Sequence, residues 1–167
     1  MIKLEIPIGV IERAREKAEE MGVIKGSFSK GAGSLCGFIA EGMLLNYLKE
    51  FGAKEDNTYD YDVTVGDIKI DTKAKNCNSA PLNTYEASIS TWNIKQKCDW
   101  YSFWRVENNL KFAYLCGFSK KEDYFARARA CKKGERDGGF VFKSDCWNLS
   151  YKDLVSPEEF KKILNEK

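Results

Sequence analysis

From Leu35 to Leu48 the sequence reads Leu-Cys-Gly-Phe-Ile-Ala-Glu-Gly-Met-Leu-Leu-Asn-Tyr-Leu, and this stretch constrains the fold more than any other. On a helix over Gly33 to Glu50, with Gly52 as its stop, Leu35, Phe38, Ile39, Met43, Leu44, Leu45 and Leu48 fall almost all round the axis. Such a helix is stable only when its neighbours bury it. A membrane does not provide that cover, because no apolar run in the chain approaches the ~20 residues a spanning helix needs. The 167 residues suit one α/β domain over 1–167, with residues 1–30 as an N-terminal helical segment packed on the core.

The other elements follow from period and punctuation. Ile11, Ala14, Ala18 and Met21 recur at helical spacing between Ile8 and Gly22. Tyr59 to Val65 and Ile68 to Lys75 read as strands joined by Gly66-Asp67, a two-residue hairpin turn with glycine first. Thr84 to Thr91 is a third strand, and Asp99 to Val106 and Leu110 to Phe118 form a second hairpin around Glu107-Asn108-Asn109. Ser119 with Glu122 reads as a capping box opening a helix to about Cys131, followed by a Gly134 to Gly139 loop and a short strand from Phe140 to Lys143. Ser156-Pro157-Glu158-Glu159 starts the last helix, with Ser156 as cap and Val155 placed to staple onto Phe160.

The chain has no histidine, which excludes Ser-His-Asp and Cys-His catalysis and His-ligated zinc. Hydrolytic chemistry must then rest on carboxylates, lysines, tyrosines and oxygen-bound metals. The six cysteines form no Cys-x-x-Cys pair and read as buried thiols, with disulfides as the alternative. Met1 to Val10 lacks the apolar core and cleavage site of a signal peptide, so a cytoplasmic location is expected. Net charge is +2, yet between Lys120 and Arg136 seven bases face three acids. That patch fits either a polyanion or a solvated helix face and loop.

With Gly66-Asp67 as the turn, Val65 faces Ile68, and counting outward sets Asp62 opposite Asp71 and Asp60 opposite Lys73. Facing carboxylates repel by a few tenths to about 1 kcal/mol unless a positive charge lies between them. One reading is a shared Mg²⁺, which takes oxygen ligands and few protein carboxylates, with Lys73 orienting or deprotonating a water; the other is an exposed polar face. Glu41 lies mid-stripe on the apolar helix, with Leu45 about 40° to one side and Leu48 about 20° to the other. A lone buried glutamate costs several kcal/mol unless it is neutralised, paired or metal-bound, so a metal and a salt bridge both answer to it.

Glu41 on a helix, Asp62 on a first hairpin strand and Asp71-Thr72-Lys73 on the second resemble the PD-(D/E)XK nuclease superfamily, which includes restriction-endonuclease-like enzymes and Holliday-junction resolvases. Cys98-Asp99-Trp100-Tyr101-Ser102-Phe103 resembles the central strand that commonly follows that motif. The likeness covers roughly Gly33 to Phe118 and departs from the pattern in having aspartate at Asp71 and no proline before Asp62. It implies a restriction-endonuclease-like α/β core, a mixed central β-sheet flanked by helices, and a metal-dependent nuclease acting on DNA as an endonuclease, with specificity coming from DNA structure, dimerisation or a partner. Asp62 and Asp71 would ligate Mg²⁺ (or Mn²⁺), with Glu41 a direct or water-mediated ligand and Lys73 activating water. Lys75 continues that face towards a phosphate, and Gln96 stands where some relatives put a polar residue in the site. Lys30, Arg127, Arg129, Lys132, Lys133 and Arg136 become candidates for phosphate contacts. A homodimer is implied, since cutting two strands needs two sites. The aromatic residues Trp92, Trp100, Tyr101, Phe103 and Trp104 are read as core, with base stacking as the alternative. Two other functions stay open: an RNA-directed nuclease, and a non-catalytic nucleic-acid-binding or assembly protein keeping the fold.

Overall fold

Strong periodicity and turn chemistry place most elements where they are expected. A computed structural model describes residues 1–21, 32–56 and 58–166, and the side chains of these apart from 32–34. In chain order the elements are β1 (Ile2–Glu5), α1 (Ile8–Met21), α2 (Ala32–Tyr47), β2 (Lys54–Glu55), β3 (Val63–Val65), β4 (Ile68–Cys77), β5 (Glu86–Ser90), β6 (Trp100–Glu107) and β7 (Phe112–Lys120). They continue with α3 (Lys121–Arg127), β8 (Arg129–Cys131), β9 (Arg136–Asp137), β10 (Phe140–Val141), β11 (Cys146–Ser150) and α4 (Pro157–Asn165). Lys30 lies outside the described residues.

The fold is mixed α/β. Six strands form one sheet in the order β1-β7-β6-β4-β3-β2, in which β4 and β6 run parallel and every other neighbour pair is antiparallel. A parallel pair needs a crossover, and the segment between β4 and β6 supplies it, carrying β5 and a 3₁₀ turn at Thr91–Lys95. Helices α1, α2 and α4 cover one face. There Ile39, Ala40 and Leu44 of α2, with Leu48 just after it, are completely buried with Val63, Ile70, Trp104 and Leu115 of the sheet and Ile11 and Ala14 of α1. α4 closes the same core: Phe160 stacks on Phe118 at 3.9 Å between ring centroids and meets Trp100 edge-on at 4.9 Å. Ser156 caps α4, its Oγ accepting from Glu159 N at 3.1 Å, as the local sequence requires.

A second core lies on the opposite face. Tyr101, Phe103, Tyr114 and Cys116 of the sheet pack with Tyr124 of α3 and with Ala87, Ile89 and Leu149 of a three-stranded sheet, β5-β11-β8. Trp100, Tyr101, Phe103 and Trp104 are therefore core residues, whereas Trp92 is 79% exposed. All six cysteines are free, and all but the half-buried Cys77 are buried. Gly117 has φ of 151° where β7 bulges against β6, and a Cβ there would meet Leu154 Cβ and the Val155 carbonyl at 2.8 Å. No helix among the described residues is long and apolar enough to cross a membrane.

Long-range strand pairing and a local turn change the expected elements in three places. The expected helix from Ser119 to Cys131 is cut to Lys121–Arg127, and Ser119 caps nothing: it is buried in β7 opposite Tyr101, its Oγ donating to the Lys120 carbonyl. Residues Arg129 to Cys131 instead pair with Asn148 to Cys146 of β11. The expected strand from Tyr59 to Val65 shrinks to Val63–Val65, because Thr58 Oγ1 accepts from the Asp60 and Tyr61 amides and folds those residues into a turn. β1 and β11 carry no local signal strong enough to announce them; both are recruited by strands far along the chain, β7 and β5.

Candidate active site

The hairpin register carries the site. Val65 pairs with Ile68, Thr64 with Lys69 and Val63 with Ile70, as the Gly66-Asp67 turn dictates, and Gly66 adopts φ of 57°. Beyond Val63 the ladder breaks. The Asp62 amide also donates to the Ile70 carbonyl at 3.0 Å, so two residues of this strand share one partner, a β-bulge. The bulge lets Asp62 Oδ2 accept from Thr72 N at 2.7 Å. Asp60 does not reach the position opposite Lys73; its Oδ1 accepts from Lys97 N at 3.0 Å and pins the segment before β6.

Asp71 is the most buried carboxylate of the group, at 3% exposure. Its Oδ1 accepts from Gln96 Nε2 at 2.8 Å, and Lys73 Nζ lies 2.5 Å from Oδ2 and donates to Gln96 Oε1 at 3.2 Å. Asp71 Oδ2 is thus met by the Lys73 ammonium in an ion pair, while Oδ1 takes the Gln96 hydrogen bond. Gln96 is held in turn, its Nε2 donating to the Tyr59 carbonyl at 2.9 Å and its own carbonyl accepting from Lys121 Nζ. Gln96 is thus a full member of the cluster, brought in by the 3₁₀ turn before it. Alternation in β4 puts Asp71, Lys73 and Lys75 on one face.

Glu41 comes from α2 and lies beside Asp62 in a cleft of about 440 Å³ that also takes in Lys17, Phe38 and Thr58. Lys17 Nζ is 3.6 Å from Glu41 Oε2 and also pairs with Glu55, which Arg13 contacts from the outside. Of the two expected answers to a mid-stripe glutamate the salt bridge is present, and Asp62 and Asp71 lie near enough to make the charge on Glu41 costlier. Burial pushes the Glu41 carboxyl up first, with Lys17 opposing. Asp62 is pushed up to about 8, by burial first and then by Asp71 and Glu41. Asp71 is also raised by burial, with Lys73 and Gln96 opposing.

Among the described residues no three carboxylate or thiol groups gather closely enough to form a ready-made metal cage. Two features nevertheless fit Mg²⁺. The donors are all oxygen, and a hydrated Mg²⁺ needs one or two carboxylates. Asp71 Oδ2 is buried with the Lys73 ammonium against it, and the neighbouring Asp62 carboxyl ionises with difficulty until a further cation arrives.

The basic candidates lie elsewhere. Arg127 is on α3, Arg129 on β8, Arg136 on β9, and Lys132 and Lys133 lie between the last two. Arg129 is engaged by Asp137 at 2.7 Å, Glu135 at 3.1 Å and Glu86 at 3.8 Å, and Lys132 by Asp145 at 3.5 Å. Lys133 and Arg136 are exposed, and Arg127 Nε donates to the Asp123 carbonyl. Lys75, by contrast, stands on the face of Asp71 and Lys73, its Nζ donating to Ser88 Oγ at 2.6 Å. Sequence reasoning missed Lys17, whose helical spacing from Ala14 and Met21 marked only a core stripe, and Arg105, the one charge inside the aromatic strand Trp100 to Val106. Comparison with protein-family models and with curated proteins finds no match.

Proposed function

We propose that the chain is a Mg²⁺-dependent nuclease that hydrolyses phosphodiester bonds in DNA, as an endonuclease, on a restriction-endonuclease-like core. The observation that carries this reading is the cluster of Asp62, Asp71, Lys73 and Gln96, in which Asp71 and Gln96 are buried, Asp62 lies close enough to raise the cost of its charge, and Lys73 shares the strand face of Asp71. Asp62 and Asp71 would hold the ion, with Glu41 reaching it through water while Lys17 keeps its salt bridge. When bound, Mg²⁺ supplies charge stabilisation for the phosphate and the leaving oxygen. Lys73 Nζ, fixed between Asp71 and Gln96, is placed to orient the attacking water and to meet negative charge developing on the phosphate. Gln96 keeps Asp71 and Lys73 in register by bonding both.

A non-catalytic nucleic-acid-binding protein is the second reading, favoured by the Lys73 ammonium that already pairs with Asp71. The deciding experiment is Mg²⁺- or Mn²⁺-dependent cleavage of linear, circular, single-stranded and branched DNA, with matched RNA oligonucleotides alongside. Asp71→Asn and Lys73→Ala are each expected to reduce the wild-type rate by about 10³-fold or more. A wild type that binds DNA and cuts nothing with either metal overturns the catalytic reading.

A further inference from the structure

Four residues beyond Asp71, on the same face of β4, Lys75 stands directly abreast of Arg105 on β6. Like charges paired across adjacent strands repel, and neither has a carboxylate within 4 Å among the described residues. Lys75 bonds only the neutral Ser88 hydroxyl, and Arg105 Nε donates to Tyr151 Oη at 2.6 Å. Both line a cleft of about 550 Å³ together with Tyr85, Phe140, Glu86 and Asp137. The two acids are answered from elsewhere: Arg129 pairs with both, and Asn148 Nδ2 donates to Glu86 Oε2 at 2.8 Å. The cations are thus left facing each other, the mirror image of the Asp62 and Asp71 problem, and an anion between them resolves it.

The walls say which anion. Tyr85 is 44% and Phe140 56% exposed, unusually open for large aromatic residues. The Arg105 guanidinium lies 5.8 Å from the Tyr85 ring, so charge and ring face are offered side by side. A small crevice lined by Lys73, Lys75 and Ser88 joins this cleft to the candidate active site, and Lys73 and Lys75 are about 7 Å apart along the strand. Water reaches Lys75, yet protein crowds it, and that crowding, with Arg105 second, pushes its ammonium down to about 8.

We propose that this cleft seats an unpaired nucleotide flanking the cut, with Lys75 and Arg105 gripping its phosphate and Tyr85 and Phe140 stacking its base, so that the substrate is single-stranded where it enters. The proposal rests on the nuclease reading for its direction along β4. In a duplex the base faces are stacked on one another and only base edges, sugars and phosphates are open to a protein, so aromatic walls beside a phosphate site serve a single strand.

The test is fluorescence anisotropy in EDTA, which prevents cutting, with an oligothymidylate of about 15 nucleotides and a duplex of equal length. The wild type is expected to favour the single strand. Lys75→Gln and Arg105→Gln should each weaken it about tenfold and lower the salt slope by roughly 0.7, and Tyr85→Ala should weaken it about fivefold or more. Lys49→Gln, in the turn after α2, serves as the charge control, and thermal unfolding of each variant checks that it folds. Preference for the duplex, variants that bind like wild type, or thymidine 5′-monophosphate binding as tightly as the oligonucleotide each overturns the proposal. Metal-dependent cleavage decides the nuclease reading separately: a wild type that holds the single strand through these residues but cuts nothing refutes that reading and leaves the cleft standing.

Discussion

Replacing Asp62 by asparagine should make the metal-free protein more stable in mild alkali, although it removes a residue placed at the heart of the site. In the folded chain the Asp62 carboxyl is pushed up from 3.8 to about 8, by burial first and by Asp71 and Glu41 next. Between those values the folded protein holds a proton that the unfolded chain has released, so stability falls as pH rises through the window. At about 1.4 kcal/mol per pH unit, the span from about pH 5.5 to 8 removes up to about 3 kcal/mol from the wild type that an asparagine does not lose. Relaxation and partial hydration of this half-buried group reduce that to about 1–2 kcal/mol. The asparagine carbonyl can still accept from the Thr72 amide, which now donates to Asp62 Oδ2, so the bulge need not move. The assay is thermal and urea unfolding of Asp62→Asn and wild type in EDTA at both pH values. The variant's advantage should grow with pH, by roughly 2–8 °C in Tm. An advantage that is constant across pH, or a variant less stable than wild type at pH 8, refutes the claim that Asp62 sits in a field that resists its ionisation.

Other outcomes follow from the same structure. Mg²⁺ should raise the wild-type Tm more at pH 8 than near pH 5.5, since its ligands must lose their protons, and Asp62→Asn should abolish that difference. Gln96→Met, which fills the same space without bonding Asp71 or Lys73, should lower the cleavage rate constant by about 10-fold or more while leaving oligonucleotide affinity in EDTA unchanged; an unchanged rate removes Gln96 from the machinery. Phe160→Ala should cost about 3–5 kcal/mol in urea unfolding, because the ring is fully buried between Phe118 and Trp100. Ser156→Ala should cost about 1 kcal/mol by loss of the bond from the Glu159 amide.

Local chemistry alone determined a good part of this protein. The all-round apolar helix, the glycine-first turn and the Ser-Pro-Glu-Glu start each act through residues within a few positions of one another, so α2, the register of β3 on β4 and the cap of α4 can be read directly from the chain. The hairpin brings Asp62 and Asp71 near each other, although the bulge removes the direct pairing that counting from the turn predicts, and strand alternation carries Lys73 and Lys75 onto the face of Asp71. Only the tertiary structure decided the rest, because it depends on partners far apart in sequence. The bulge that aims Asp62 at Thr72, the delivery of Gln96 to Asp71, the salt bridge from Lys17 to Glu41 and the conversion of Arg129 to Cys131 into a strand all wait on such contacts. Lys75 and Arg105 are the clearest case: 30 residues separate them, and only the parallel pairing of β4 with β6 sets the two cations abreast. Propensity and period act over one or two turns of chain, whereas the fields that shift an aspartate or gather two cations are made by whichever segments the core brings together.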